Sequence, residues 1–277
     1  MEKIDPTAKV HPTALISAGA TVGAETEIGP FCIVGPKVVL GKRNVLRSHV
    51  VIEGRTEIGD GNHFFQFCSI GSLPQDLKFK GEDSLLRLGD NNRIREYVTI
   101  QPGTAGGGML TQVGDGNLFM VSSHVGHDAR VGNNNVFANS CALAGHVSVG
   151  SGTIVGGLSA IHQFARLGDL CMLAGGSMVS KDVPPFTIAQ GDRARLVGIN
   201  VIGLQRRGFN RDDVRSLRKA FRALFFTQGT QRERLDRARA EFGSIVCVKE
   251  FLDFIDASER GIASLRRDGA AGAGDAD

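Results

Sequence analysis

Residues 113–136 read VGDGNL, FMVSSH, VGHDAR and VGNNNV, four successive blocks of six residues. The same register continues to Pro184 and also occupies most of the preceding chain. Hexads fill 4–69, 88–105 and 113–184, which makes 26 in all. The first position is Val, Ile or Leu in 23 of them and Phe in the other three. A register kept over this length is the signature of a repeat fold.

The period of six predicts a prism of short parallel strands. Each hexad would form one flat side, with its aliphatic first residue and its small fifth residue pointing inward. Successive turns would hydrogen-bond about 4.8 Å apart, as neighbouring strands do in any sheet. The pattern [LIV]-G-x-x-[STAV]-x resembles the hexapeptide of the left-handed parallel β-helix, so we expect a mainly β fold. The handedness follows from this resemblance, because the spacing does not determine it.

The composition agrees with a repeat built on small side chains. The chain of 277 residues has 37 Gly, one Tyr and no Trp. Cys32, Cys68, Cys141 and Cys171 occupy fifth positions of hexads, where neighbouring hexads have Ala, Thr, Ser or Val. We therefore interpret them as small buried thiols rather than as disulfide partners or metal ligands.

Neither a membrane span nor a secretion signal is evident in the sequence. No apolar run approaches the roughly 18 residues that cross a bilayer. The N-terminal stretch MEKIDPTAKV has no apolar signal core. We therefore expect a soluble, cytoplasmic protein.

Two segments leave the hexad pattern. Residues 73–87, LPQDLKFKGEDSLLR, carry a polar cluster formed by Gln75, Asp76 and Lys78. Residues 106–112, GGGMLTQ, form a short glycine-rich excursion. Loops that project from a rigid scaffold often carry binding residues, although both segments could also be tolerated surface insertions.

The chain changes character after the hexads. We predict a β-helix over 1–191, an α-helical domain over 192–268 and a disordered tail over 269–277. Asn210, with Asp213 three residues later, is typical of a helix cap. Three helices are expected, and they would cover the open sheet edge of the last turn.

The charge is divided unevenly between these parts. Residues 1–192 carry 15 Lys and Arg against 17 Asp and Glu, whereas residues 193–277 carry 17 against 12. The C-terminal part is therefore basic. This excess favours an acidic partner or ligand near the predicted helices, and nothing in the pattern points to nucleic acid.

Four of the seven histidines lie close together in the sequence, and the period brings them closer. His127, Gly145 and Gln163 are spaced 18 residues apart, which is three hexads. If three hexads make one turn, these residues stack on one face. Three further histidines lie one to three residues from one of these stacked positions in the sequence: His124, His146 and His162.

Two chemistries use such a histidine group. A metal site would need three imidazoles converging at about 2 Å from one ion. General-base catalysis needs one imidazole oriented by a carboxylate, with a donor nearby for the developing oxyanion. The sequence favours the second, because Asp128 follows His127 and because Gly145 has no side chain to obstruct its N–H. No Walker, Rossmann or GxSxG motif is present, and nothing supports a serine or cysteine nucleophile, which indicates direct transfer without a covalent enzyme intermediate. We expect neither a cofactor nor a metal.

Five strings carry a resemblance to a known family. They are HVGHD (124–128), LAGHVSV (143–149), AIHQF (160–164), DVPPFTIAQG (182–191) and GINVIGLQRRGF (198–209). Together with QDLK at 75–78, they resemble the acyl-[acyl-carrier-protein]–UDP-N-acetylglucosamine O-acyltransferases over nearly the whole chain. The resemblance implies transfer of a 3-hydroxyacyl chain from an acidic acyl carrier protein to the 3-position of the glucosamine of UDP-N-acetylglucosamine. This is the first step of lipid A biosynthesis, and the resemblance also implies a homotrimer.

The resemblance further implies a role for each matching residue. His127 would be the general base, Asp128 would orient it, and the N–H of Gly145 would hold the oxyanion. Contacts to the sugar and the acyl chain are implied for Gln75, Asp76, Lys78, His124, His146 and His162. Contacts to the nucleotide and its pyrophosphate are implied for Gln163, Asn200, Arg206 and Arg207. The groove for the acyl chain would include Met172 and Gly175, the latter at the position of the family's chain-length ruler.

Two positions depart from the family pattern. Ile202 stands where the family commonly has an acid, and Gln101 stands where it commonly has a histidine. Both departures leave open the nucleotide contacts and the acceptor atom, which is a hydroxyl or, in 3-amino-sugar relatives, an amine.

Three other classes of protein share part of this pattern. The N-acyltransferase of the same pathway carries an additional N-terminal domain, whereas hexads here begin at Ile4. The γ-type carbonic anhydrases hold zinc with three histidines on the same prism, but they lack an Arg-rich helical domain and a QDLK loop. A structural or ice-binding solenoid would show a flat face of repeated Thr, and none is present.

Overall fold

The structure of the protein, a computed structural model, describes residues 3–266 as a three-sided prism followed by α-helices. Three sheets form the sides, and the chain visits sheet 1, sheet 2 and sheet 3 in that order in each turn. Residues that pair across neighbouring turns are mostly 18 apart, as in Lys3 with Thr21. The predicted parallel β-helix is confirmed, with about ten turns. The tail predicted at 269–277 lies outside the described residues.

The strands are short, most of them two residues long. Sheet 1 contains β1 (Lys3–Ile4), β4 (Thr21–Val22), β7 (Val38–Leu40), β10 (Arg55–Ile58), β13 (Leu85–Leu88), β16 (Leu110–Val113), β19 (Arg130–Val131), β22 (Ser148–Val149) and β25 (Arg166–Leu167). Sheet 2 contains β2 (Lys9–Val10), β5 (Glu27–Ile28), β8 (Val45–Leu46), β11 (His63–Phe64), β14 (Arg93–Ile94), β17 (Leu118–Phe119), β20 (Val136–Phe137), β23 (Ile154–Val155), β26 (Met172–Leu173), β28 (Thr187–Gln190) and β29 (Arg195–Ile199). Sheet 3 contains β3 (Leu15–Ile16), β6 (Ile33–Val34), β9 (Val51–Ile52), β12 (Ser69–Ile70), β15 (Thr99–Ile100), β18 (His124–Val125), β21 (Ala142–Leu143), β24 (Ala160–Ile161) and β27 (Met178–Val179).

The hexad pattern accounts for the core of the prism. First-position residues such as Val34, Phe64 and Leu143 have no exposed surface. The fifth-position cysteines are buried as predicted. Burial raises the pKa of the Cys141 thiol to about 12, so this thiol stays protonated at neutral pH.

A ladder of buried asparagines builds the corner between sheets 1 and 2. The Oδ1 atom of Asn44 accepts a hydrogen bond from the N–H of Asn62, one turn further along the prism. The same bond recurs in later turns, from Asn92 to Asn62, Asn117 to Asn92 and Asn135 to Asn117. These amides satisfy buried backbone donors that the turn leaves unpaired, which explains the choice of Asn at this corner.

Both interruptions of the pattern are shorter than predicted. The first was expected to end at residue 87, but β13 already begins at Leu85, and the side chains of Leu86 and Leu88 point into the core. The second contains a short 3₁₀-helix (Ala105–Gly107) and ends at β16, which starts at Leu110. In each case strand pairing with the neighbouring turns extends into residues that do not follow the hexad register.

The region after the hexads begins with a strand. The helical domain was predicted to start at residue 192, but β29 pairs antiparallel with β28 and continues sheet 2 to Ile199. The helices then follow as α1 (Val201–Arg206), α2 (Arg211–Phe225), α3 (Gln231–Phe242) and α4 (Val246–Asp256). The predicted cap is confirmed, because Asn210 Oδ1 accepts a hydrogen bond of 2.8 Å from the N–H of Asp213.

The helices pack on one another and on the end of the prism. α2 contacts α3, α4 and β29, and its buried face includes Leu217 and Phe221. After α4 the chain returns to the prism, where Ile262 and Leu265 bridge to Asp182 and Leu196. Within residues 3–266, none of the helices combines the length and the apolar character that crossing a membrane requires.

Candidate active site

The predicted histidine column lies at the corner where sheet 3 turns into sheet 1, called corner 3/1 below. His127 follows β18, Gly145 follows β21 and Gln163 follows β24, so the three positions occupy the same corner in successive turns. The two interruptions leave the prism at this corner as well, after β12 and after β15. The repeat therefore gathers the irregular segments and the histidines on one edge of the molecule.

His127 and Asp128 form a buried hydrogen-bonded pair. The Nδ1 atom of His127 lies 2.8 Å from Oδ2 of Asp128. Neighbouring residues of a strand point to opposite faces, but Asp128 has a left-handed backbone with φ of 59°, which turns its side chain back toward the imidazole. A carboxylate only accepts hydrogen bonds, so in the neutral imidazole Nδ1 carries the proton and Nε2 the lone pair.

The carboxylate of Asp128 has further donors. Oδ1 accepts from the N–H of Thr104 at 2.9 Å, and Oδ2 accepts from the Thr104 hydroxyl at 2.7 Å. The N–H of Asp128 donates to the hydroxyl of Thr111 at 2.7 Å. Neither threonine was predicted from the sequence, because no repeat or motif marks them.

Gly145 lies directly against the imidazole of His127. An added Cβ at Gly145 would stand 2.5 Å from both Nε2 and Cε1 of that ring. Gly145 is buried, and its N–H donates no hydrogen bond within the part of the chain that the structure describes. A proton acceptor and an unused backbone donor are therefore neighbours across one turn.

His146 and His124 flank this pair. The ring of His146 meets that of His127 edge-on at 5.0 Å between centroids and stacks on Phe164 at 4.4 Å. Burial lowers the pKa of His146, against the opposing attraction of the Asp128 carboxylate. His124 shares a hydrogen bond of 2.7 Å with the Thr99 hydroxyl, and burial followed by the nearby His127 lowers its pKa. Both imidazoles therefore favour the neutral form.

The loop with the QDLK string is held over the same corner by Gln101. Oε1 of Gln101 accepts a hydrogen bond of 3.1 Å from the N–H of Gln75, and its amide nitrogen lies 3.5 Å from the carbonyl oxygen of Leu73. The loop brings Asp76 and Lys78 close enough for their charges to act on His146 in opposite directions. Gln101, noted as a departure, is thus a buried anchor for this loop.

His162 and Gln163 lie one turn beyond Gly145 and are exposed. His162 Nδ1 is 2.7 Å from a guanidinium nitrogen of Arg260, whose Nε also donates to the carbonyl oxygen of Ser180. The returning C-terminal segment therefore reaches the outer end of the column. No motif or repeat in the sequence marks Arg260 as a site residue.

The other predicted site residues do not join this group within one chain. Asn200 and Arg207 lie against the corner between sheets 1 and 2, where they hydrogen-bond to the carbonyl oxygens of Leu170 and Asn134. Asn200 also caps α1, at whose end Arg206 is exposed. Met172 faces outward from sheet 2, and Gly175 lies exposed at the corner between sheets 2 and 3.

His127, Asp128 and His146 could also be considered as a metal site. Their ligand atoms all lie within 4.8 Å of one another. Both oxygens of Asp128, however, already accept hydrogen bonds from protein donors. The donor set is therefore better suited to orienting an imidazole than to holding an ion.

Comparisons with known proteins extend over most of the chain. A family model described as the second domain of UDP-N-acetylglucosamine O-acyltransferase matches residues 182–263. A model described as the bacterial transferase hexapeptide, with six repeats, matches residues 19–54. Both matches agree with the division into a hexad prism and a C-terminal region.

Curated relatives and solved structures give the same result. The acyl-[acyl-carrier-protein]–UDP-N-acetylglucosamine O-acyltransferase of Myxococcus xanthus is 48% identical over 209 residues, 76% of this chain and 81% of its own. The enzyme of the same name from Aliarcobacter butzleri is 46% identical over 214 residues, 76% of this chain and 80% of its own.

Among solved structures, LpxA from Acinetobacter baumannii has 41% identity and a TM-score of 0.85, over 94% of this chain and 99% of its own. The UDP-N-acetylglucosamine acyltransferase of Campylobacter jejuni has 38% identity and a TM-score of 0.87, over 93% of this chain and all of its own. The prism is thus the left-handed parallel β-helix expected from the hexapeptide. These relationships confirm the resemblance found in the sequence, and the chain belongs to the acyl-[acyl-carrier-protein]–UDP-N-acetylglucosamine O-acyltransferase family.

Proposed function

We propose that this protein transfers a 3-hydroxyacyl chain from acyl carrier protein to the 3-hydroxyl of the glucosamine in UDP-N-acetylglucosamine, the first step of lipid A biosynthesis. The observation that carries the mechanism is the arrangement of His127, Asp128 and Gly145. An imidazole with a free Nε2 lies beside an unused backbone N–H in a buried corner. Direct acyl transfer to a hydroxyl is accelerated by a general base for the attacking oxygen and a donor for the oxyanion.

The proposed reaction is a direct transfer. His127 Nε2 removes the proton of the 3-hydroxyl as its oxygen attacks the thioester carbon. The N–H of Gly145 donates to the oxygen of the tetrahedral intermediate, whose negative charge it stabilises. Collapse of the intermediate breaks the carbon–sulfur bond and expels the carrier thiolate, which takes the proton from the imidazolium. Neither a cofactor nor a covalent enzyme intermediate is needed.

The surrounding polar groups would bind the sugar. Lys78 and Asp76, which the loop brings near His146, offer a donor and an acceptor for its hydroxyls. His124 and His146, with their lowered pKa, are neutral at pH 7 and can both donate and accept hydrogen bonds. Gln75 and His162 would complete these contacts, while Gln163 would contact the nucleotide.

We further propose that a homotrimer completes the site. His127 lies at corner 3/1, whereas Asn200, Arg206, Arg207, Met172 and Gly175 lie at other corners or on sheet 2. Threefold symmetry would set corner 3/1 of one copy against sheet 2 of the next and join the two groups. Light scattering should give a trimer, and mixing His127→Ala with Arg207→Ala chains should restore some activity. A stable, active monomer would contradict this assembly.

The acyl carrier protein would dock on α2. Arg211, Arg215, Arg218, Lys219 and Arg222 line a groove of about 410 Å³ on this helix, together with Val201, Gln205 and Val214. Asp212 pairs with Arg215, and the groove lining itself contains no acidic residue. Such a surface suits an acidic partner, as the basic charge of residues 193–277 also indicates.

The function is tested by incubating the purified protein with 3-hydroxyacyl carrier protein and UDP-N-acetylglucosamine. The proposal predicts a product with one added acyl group, and mild alkali should release it because the bond is an ester. Parallel reactions with the 3-amino sugar nucleotide would test the acceptor atom. Transfer only to the amine, or no transfer at all, would contradict the proposal. The proposal includes a cytoplasmic location, which cell fractionation would test.

A further inference from the structure

The glycine-rich excursion between β15 and β16 encloses the carboxylate of Asp128. Thr104, two residues before the glycine run, donates two hydrogen bonds to this carboxylate, one from its N–H to Oδ1 and one from its hydroxyl to Oδ2. Oδ2 is also the atom that accepts the His127 hydrogen bond. Thr104 is 3% exposed and Asp128 is 4% exposed, so water does not compete for these bonds.

Gly107 closes the other side of the carboxylate. A Cβ added to Gly107 would overlap the carboxylate carbon and both of its oxygens. Gly106, the preceding residue, is different, because its Cβ would meet only the Thr104 hydroxyl, at 3.9 Å. The requirement for glycine is therefore specific to the residue that touches Asp128.

We infer that Thr104 and Gly107 are positioning residues for the catalytic pair: they fix the rotation of the Asp128 carboxylate and thereby the orientation of His127. This inference rests on the proposed function. A carboxylate turns easily about its last bond, because that torsion has a broad energy profile. With both oxygens engaged by Thr104, Oδ2 stays directed at His127 Nδ1, and Nε2 remains the proton acceptor.

The role has a kinetic consequence. Thr104 and Gly107 contact the Asp128 carboxylate, which lies on the Nδ1 side of the His127 ring, whereas the substrate would react at Nε2, so their loss should affect the chemical step rather than binding. A change that lowers kcat and leaves KM unaltered removes an interaction made only in the transition state. A residue needed only for folding would instead reduce the amount of active trimer.

The first test replaces Thr104. Thr104→Val keeps the shape and the backbone donor but removes the hydroxyl, whereas Thr104→Ser keeps the hydroxyl. We expect Thr104→Val to lower kcat by about tenfold or more, because the lost hydrogen bond goes to a charged acceptor, with little change in KM for UDP-N-acetylglucosamine. Thr104→Ser should recover most of the rate. Equal loss in both variants, or loss expressed in KM, would overturn the inference.

The second test compares two neighbouring glycines. Gly107→Ala should displace the Asp128 carboxylate and lower kcat, whereas Gly106→Ala should retain the wild-type rate. Melting temperatures and trimer content measured for both would separate a folding defect from a catalytic one. Similar kcat values for the two soluble trimeric variants would overturn the assignment of Gly107.

A double-mutant cycle tests whether Thr104 acts through Asp128. Asp128→Asn is a suitable background because asparagine tolerates the left-handed backbone at this position. In that background Thr104→Val should cost no more than about twofold. A full tenfold loss there would contradict the inference, while leaving the acyltransfer activity of the wild type in place. An inactive wild type would instead contradict the proposed function itself.

Discussion

Gly145 and the imidazole of His127 are in contact across one turn of the prism, since a Cβ on Gly145 would come within 2.5 Å of His127 Nε2. In the proposed mechanism, glycine at this position would have two functions. It would leave space for the ring, and its N–H, which donates no hydrogen bond within residues 3–266, would be available close to the atom that accepts the substrate proton. The spacing of 18 residues sets this contact, because it puts the two residues at the same corner in successive turns.

Acyl-chain length should depend on Gly175. A Cβ there would meet only the carbonyl oxygen of Gly157 at 3.4 Å, an ordinary contact, so Gly175→Met should fold. The longer side chain would occupy space in the proposed groove. We expect kcat/KM to fall by about fourfold for each methylene that no longer fits, from a burial free energy of about 0.8 kcal/mol per CH₂. Assays with carrier proteins of graded chain length measure this, with Gly198→Met as control. Unchanged preference for the longest donors would exclude Gly175 as the ruler.

Carrier docking should depend on the charge of α2. Reversing Arg211, Arg215, Arg218 and Lys219 to Glu should raise KM for the acyl carrier by about tenfold or more at low salt. The difference should shrink as salt is added, because the charges are exposed and screened. Lys42→Glu with Arg47→Glu, far away on the prism, serves as the control. If the α2 variants kept the wild-type KM, the carrier would dock elsewhere.

The loop with the QDLK string should be held in place by Gln101. Gln101→Leu removes the acceptor for the Gln75 N–H, so residues 73–84 should exchange amide hydrogens faster. We expect KM for UDP-N-acetylglucosamine to rise by about threefold to tenfold, the range that one net hydrogen bond supports, with a smaller change in kcat. The exposed Gln112→Leu is a matched control. Unchanged exchange in the loop would show that other contacts hold it.

Stability should fall below neutral pH partly because of His124. Burial lowers its pKa beneath the ordinary value of 6.5, so the unfolded chain binds more protons as pH drops past 6.5. The free energy of unfolding therefore decreases with falling pH from that point until His124 is protonated in the folded state too. His124→Asn should flatten this dependence in denaturant unfolding at fixed protein concentration. An identical pH dependence would mean that other groups cause it.

The sequence predicted those parts of the fold that repeat. First-position residues from Val22 onward and the fifth-position cysteines are buried, and the period of 18 residues brought His127 and Gly145 together. The first three residues of β13, at 85–87, were not predicted as strand because they precede the hexad register, which begins at Leu88, and are held by pairing with β10 and β16. The strand β29 was not predicted for a similar reason. It does not follow the hexad pattern and is held by antiparallel pairing with β28, which forms only after the chain reverses direction.

The contacts between the two irregular segments and the site also could not be predicted from the sequence. Thr104 and Gln101 are separated by 24 and 26 residues from the partners to which they bond, and no period relates them. Asn200 has a structural role that the family pattern did not imply, because both ends of its amide are engaged, in the cap of α1 and at Leu170. Its role toward a nucleotide stays a prediction.

The most direct test of the mechanism is the transfer rate of His127→Ala. We expect a soluble trimer that binds UDP-N-acetylglucosamine normally but transfers acyl groups about 10²–10⁴-fold more slowly, the usual contribution of a positioned general base. His124→Ala, His146→Ala and His162→Ala should lose less, mainly through KM, and a chelator should not affect the wild type. Wild-type turnover in His127→Ala, together with loss of wild-type activity on chelation, would contradict general-base catalysis by His127.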